Sequence, residues 1–148
     1  MQVFVVQKRQ YWLVTNILIW FICGCQSQVM NQCSQISEVA NDTNQQLIHI
    51  LQAEQFNDQD FKIWLQAVDI FNRAIAELKS LEIKDDELVK YQDELAGLWR
   101  VYAKITHEAI QAREIKSLSI LTTASSQVQM TDKQMQQITE QINSYCSE

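Results

Sequence analysis

The sequence predicts an all-α protein, an up-down-up-down four-helix bundle, and three observations carry that prediction. Proline is absent from all 148 residues and only two glycines occur, Gly24 and Gly97, so the strongest helix breakers are nearly missing. Apolar residues recur at alternating spacings of three and four over four stretches, the pattern of a bundle seam. The first, third and fourth stretches are each about 29 residues, about 43 Å at the helical rise. Helices of matched length joined by short turns become antiparallel neighbours.

The first helix is expected from about Gln28 to Phe56, with Cys33, Ile36, Ala40, Thr43, Leu47 and Ile50 on its seam and Ile48 and Leu51 widening it. Asn57 and Asp58 make the turn and cap the second helix, and Asp60 suits the positive end of its dipole. The second seam reads Phe61, Trp64, Val68, Phe71, Ile75 and Leu78, ending near Leu81. Glu82 to Lys84 connect, Asp85 is the N-cap, and Asp86 and Glu87 fill the first turn of the third helix. The third seam is Leu88, Tyr91, Leu95, Leu98, Tyr102, Ile105, Ala109 and Ala112. Continuing that phase would put Lys116 and Ser119 in the core, so the chain is expected to turn near Arg113 to Ser117. A break at Thr131 to Asp132 is the alternative. The fourth seam is Leu121, Ala124, Val128, Thr131, Met135, Ile138, Ile142 and Tyr145.

Ahead of the helices stands YWLVTNILIWFICGC, Tyr11 to Cys25. Lys8 and Arg9 precede an apolar run of about 12 residues, too short to span a bilayer, which needs about 20. The run ends in Ile22, Cys23, Gly24 and Cys25, which resembles the lipobox of bacterial lipoproteins: an aliphatic residue, a variable small residue, Gly or Ala, then the lipidated cysteine. The resemblance implies a signal peptide over 1–24, a helical bundle domain over 25–148, and lipid on Cys25. An uncleaved anchor or an ordinary secretory leader are the other readings of the same segment. Gln26 follows the cysteine where Asp would favour the inner membrane, which points to the outer membrane. Two stretches, LEIKDDELVKYQDELAGLWRVY (Leu81 to Tyr102) and INSYC (Ile142 to Cys146), resemble small exported helical proteins of cyanobacteria. That resemblance implies an envelope location and no chemistry.

On the lipoprotein reading the four cysteines sort without remainder. Cys23 leaves with the leader, Cys25 takes the lipid, and Cys33 and Cys146 remain as a pair. An exported protein resides where disulfides persist, so a Cys33 to Cys146 disulfide is expected; two unrelated buried thiols are the alternative. In an up-down-up-down bundle the start of the first helix and the end of the fourth share one end, which brings the two cysteines together. Removing the two basic residues of the leader takes the net charge from −6 to −8. Such a surface argues against nucleic acid or anionic headgroups as ligands.

Few residues suggest chemistry. His49 and His107 fall on polar faces, about 200° from the seam residues Leu47 and Ile105 at two residues' spacing, and Gln46 and Lys104 stand where a diiron bundle needs Glu. No cofactor or metal is expected, and acidic groups at Asp58 and Asp60, Asp85 to Glu87, and Asp93 and Glu94 read as caps and solvated faces. The aromatics Phe61, Trp64, Phe71, Tyr91, Trp99 and Tyr102 read as core, or as the lining of a pocket between the second and third helices. One outer stripe of the third helix concentrates positive charge: Asp93, Gly97, Arg100, Lys104, His107 and Gln111. Gly97 in its middle offers close approach to another backbone. The expectation is a non-enzymatic, lipid-anchored bundle facing the periplasm that serves as a structural or protein-interaction module, with Gly97, Arg100, Lys104 and His107 as its surface. The alternative is a small-molecule carrier with a cavity between the second and third helices.

Overall fold

The computed structural model describes residues 28–50, 52 and 61–147. They form four helices: α1 (28–50), α2 (Phe61–Ser80), α3 (Asp86–Glu114) and α4 (Leu118–Tyr145), with no strand among them. The leader over 1–24, the lipobox with Cys25, Leu51 of the first seam, the end expected of the first helix over 53–56, and the Asn57 to Asp60 turn and cap lie outside the described residues.

Side chains that meet across the bundle show the antiparallel order. Arg73 on α2 donates to Gln46 on α1 at 3.4 Å, while the start of α1 reaches the far end of α2 through Gln32, which accepts from the backbone N–H of Lys84 and of Asp85. Between α2 and α3, Phe71 stacks on Tyr102 near the middle, and the Arg113 guanidinium lies over Trp64 at one end. Between α3 and α4, Tyr102 meets Asp132 and Tyr91 meets Tyr145. In every pair, later residues on one helix face earlier residues on the other, which is the up-down-up-down topology expected from matched helix lengths.

The two described turns are built by different chemistry. Asp85 caps α3 as its sequence position indicated, its side chain accepting from the N–H of Glu87 at 3.1 Å and of Leu88 at 3.0 Å. The turn from α3 to α4 falls within the expected Arg113 to Ser117 interval, although neither Gly nor Pro marks it. Ser117 N–H reaches back to Ala112 C=O at 2.8 Å and Lys116 N–H to Arg113 C=O at 3.1 Å. These two bonds are a Schellman closure, and Lys116 takes the left-handed position that glycine normally fills, with φ 53°. Thr131 lies in the middle of an unbroken α4, buried, its hydroxyl donating to Gln127 C=O at 2.8 Å, so the alternative break there is not used.

The core divides lengthwise into two clusters. The larger holds Cys33, Ile36, Leu78, Leu88, Ala96 and Trp99 among others, toward the end where α1 starts and α4 finishes. A smaller one, Ile105, Ala109 and Ala124 with Trp64, Leu121 and Val128 packed on it, fills the opposite half. Along the expected seam of α4, Ala124, Thr131, Ile138 and Ile142 are buried and Leu121, Val128, Met135 and Tyr145 are half-buried. That of α2 is corrected: Ile63, Ile70, Phe71, Ala74 and Leu78 are its buried residues, whereas Phe61, Trp64, Val68 and Ile75 are only half-buried. The buried arc is turned toward Ile63, Ile70 and Ala74, and a single three-four seam describes only part of it. On α3 the same widening buries Gln92, Ala96, Trp99, Ala103 and Ile110 beside the expected line. On α1, Ile48 is exposed and does not widen the seam inward.

Candidate functional site

Cys33 and Cys146 are joined by a disulfide, with Cα atoms 5.8 Å apart at a sequence separation of 113. This end draws on all four helices. Gln32, next to Cys33, is buried; its carbonyl oxygen holds the turn between α2 and α3, and its amide donates to Gln28 C=O at 3.2 Å. Gln92, also buried, donates its amide to Leu78 C=O and Leu81 C=O, a second bond for two carbonyls that already accept from Leu81 N–H and Ile83 N–H where α2 stops. Tyr145 donates to both carboxylate oxygens of Asp85 at 3.0 Å and packs edge-on against Tyr91, with ring centroids 5.9 Å apart. Partial burial, and then the Asp85 carboxylate, push the Tyr145 hydroxyl above the usual tyrosine range. Among the described residues no buried side-chain nitrogen or oxygen lacks a partner.

A second feature is a half-open cleft of about 550 Å³. Its lining comes mainly from α1, between Ile36 and Leu47, and from α4, between Met135 and Asn143, with Phe71, Leu95, Trp99 and Tyr102 completing it. The sequence placed such a space between the second and third helices; the cleft takes Phe71 from α2 and Leu95, Trp99 and Tyr102 from α3, with Phe71 and Tyr102 stacked nearly parallel at 11° and 5.5 Å, but opens mainly against α1 and α4. The Tyr102 hydroxyl donates to Asp132 at 2.5 Å and is raised strongly above the ordinary tyrosine value, first by burial and then by that carboxylate.

The outer stripe of α3 lies on the surface as expected. Arg100, Lys104 and His107 are exposed, and Gly97 is half-buried. Lys104 approaches Glu108 at 3.7 Å, Asp93 pairs with Lys79 of α2, and His107 shares a 3.1 Å hydrogen bond with Gln111. A Cβ added at Gly97 would meet nothing within 4 Å. At the end opposite the disulfide, Ile115 and Leu118 are 68% and 76% exposed.

His49 and His107 are both exposed. Among the described residues, no group of three or more His, Cys, Asp or Glu is placed to hold a metal ion. Asp85 is the acidic residue with the most work, serving as cap and tyrosine acceptor, while Glu94 is exposed. No described helix is long and apolar enough to cross a membrane.

No protein-family model matches the chain, and no curated protein or solved structure matches it either.

Sequence reading missed Gln32, Gln92 and the contact between Asp85 and Tyr145. A glutamine beside a seam carries no periodic signal, and an N-cap aspartate spends its visible role on its own helix. The position of Tyr145 at the last turn of α4, level with the first turn of α3 in an antiparallel pair, was the one available clue.

Proposed function

We propose that this chain is a lipid-anchored lipoprotein of the bacterial envelope, facing the periplasm, whose bundle acts as a structural or protein-interaction module with no catalytic step of its own. The observation that carries this reading is the disulfide between Cys33 and Cys146, a bond that persists in an oxidising compartment. The lipobox-like run Ile22 to Cys25 ends two residues before α1 comes into view at residue 28, so lipid on Cys25 would hold the disulfide end near the membrane. The outer-membrane assignment rests on Gln26.

The surface offered to a partner is the α3 stripe of Gly97, Arg100, Lys104 and His107, cationic on an acidic body, together with the opposite end at Ile115 and Leu118. Complementary charge there would set orientation and association rate more than affinity. Labelled palmitate fed to producing cells should enter the protein and be lost in Cys25→Ala, and cross-linking should then recover a protein partner that disappears in an Arg100→Glu, Lys104→Glu double variant. Palmitate incorporation that survives Cys25→Ala overturns the anchor; recovery of the chain alone overturns the interaction role.

The cleft against α1 and α4 favours a second reading, a carrier of a small molecule.

A further inference from the structure

The lining of the cleft describes what could fill it. About 550 Å³ falls within the 300–1,000 Å³ or so typical of small-molecule sites. Along α1 it extends from Ile36 to Leu47, about 16 Å at the helical rise, so the space is elongated. Leu47, Tyr102, Met135 and Ile142 give it an apolar wall.

Charge is the discriminating property. None of the lining residues is Asp, Glu, Lys, Arg or His. The one titratable side chain, Tyr102, already donates its hydroxyl to Asp132. An ionic head drawn against that apolar wall would lose hydration, and no lining side chain carries a charge to meet it. Outside the rim, Glu38 and Asp42 share a shallow depression with Ser37 and Asn41, and they would repel an anion further.

The rim itself is polar and neutral. Thr43 and Thr139 donate their hydroxyl protons back to Val39 C=O and Met135 C=O, so neither offers a donor to the cleft. Asn41, Asn44 and Asn143 are different: all three are exposed, and their carboxamides make no hydrogen bond among the described residues. A carboxamide donates and accepts, which matches a hydroxyl or a carbonyl rather than an ion.

We infer that the cleft between α1 and α4 binds one neutral, elongated apolar molecule with a hydroxyl or carbonyl head, of the kind represented by a long-chain alcohol. The apolar chain lies against Leu47, Tyr102 and Met135, and the head meets the three asparagines. This rests on the carrier reading and goes further by naming the ligand class.

The test uses the full chain in its native membrane, carried into polymer discs, with photoactivatable diazirine analogues of dodecanol, dodecanoate and dodecyltrimethylammonium. Cross-linked peptides are mapped by mass spectrometry. The alcohol should label peptides carrying Leu47 and Met135 about tenfold more than the carboxylate, which is unpaired in the cleft and repelled by Glu38 and Asp42, and more than the ammonium. Excess unlabelled dodecanol should compete, and Ala40→Phe, which fills the cleft, should abolish labelling while helix content and the disulfide persist. Asn44→Ala together with Asn143→Ala should weaken the alcohol's labelling with the cleft still open. Equal or stronger labelling by either ion overturns the ligand class and leaves the carrier reading standing. No cleft labelling by any of the three, or labelling unchanged in Ala40→Phe, overturns both.

Discussion

The Tyr145 hydroxyl sits 3.0 Å from each carboxylate oxygen of Asp85, and one of those oxygens also caps α3. One side chain therefore starts a helix and fastens the last turn of another, 60 residues away in sequence. Loss of an N-cap costs about 0.5–2 kcal/mol and a hydrogen bond to a charged group about 1.5–3. Asp85→Ala should therefore destabilise the bundle by about 2–5 kcal/mol, and Tyr145→Phe by less. Denaturant unfolding of both single variants and the double variant should give a non-zero coupling energy; strict additivity would mean that the two groups do not cooperate.

Opening the disulfide releases a loop that spans a sequence separation of 113 in the unfolded chain. On the chain-entropy account this loop contributes about 5 kcal/mol. Thermal unfolding with and without reductant should show a large fall in midpoint, and Cys33→Ser with Cys146→Ser should reproduce it without reductant. If both midpoints stay within a degree or so, the bond is not what keeps α1 and α4 together.

Gly97 and Lys116 are each mismatched to their backbone, in opposite senses. At Gly97 an added Cβ meets open space, so Gly97→Ala should raise stability by about 0.5–1 kcal/mol through helix propensity alone. Lys116 occupies a left-handed conformation that costs an L-residue about 1–2 kcal/mol, partly offset in a glycine variant by greater unfolded-state freedom. Lys116→Gly should then gain about 0.5–1 kcal/mol. A fall in midpoint for Gly97→Ala would show that another chain packs on that face.

The raised Tyr102 hydroxyl gives a pH signature. Its folded proton is held more tightly than in the unfolded chain, where tyrosine titrates near 10. Above that value the unfolded state releases the proton while the folded state retains it, so stability is intact below about pH 10 and declines above it. Tyr102→Phe should flatten part of that decline while lowering stability at neutral pH through loss of the bond to Asp132. Urea midpoints measured across pH 8 to 11 or so read the slope directly; identical slopes for the two proteins would refute the assignment.

Much of the fold was legible because each helix of this bundle has one job. The seam of α4 could be read residue by residue, and α3 announced its start with Asp85 and its end by a loss of phase at Lys116. The pairing of Cys33 with Cys146 followed from topology and from the lipoprotein resemblance together. On α2 a single seam was too narrow a description of the buried arc. The cleft was not legible because periodicity assigns residues to faces and says nothing about how far apart two faces stand. The buried glutamines escaped for a related reason: Gln32 and Gln92 serve carbonyls and amides of other segments, and only the assembled bundle shows those groups to be in need of partners.

The bond between Cys33 and Cys146 also decides how this molecule bears load. A pull on the chain ahead of α1 passes at the first turns into the last turn of α4, so tension enters two helices side by side instead of peeling one away. Stretched between the chain ahead of α1 and the chain after Cys146, the molecule should extend little, because the sulfur bridge joins those two points; once the bridge is cut, the same pull should unfold the helices in turn.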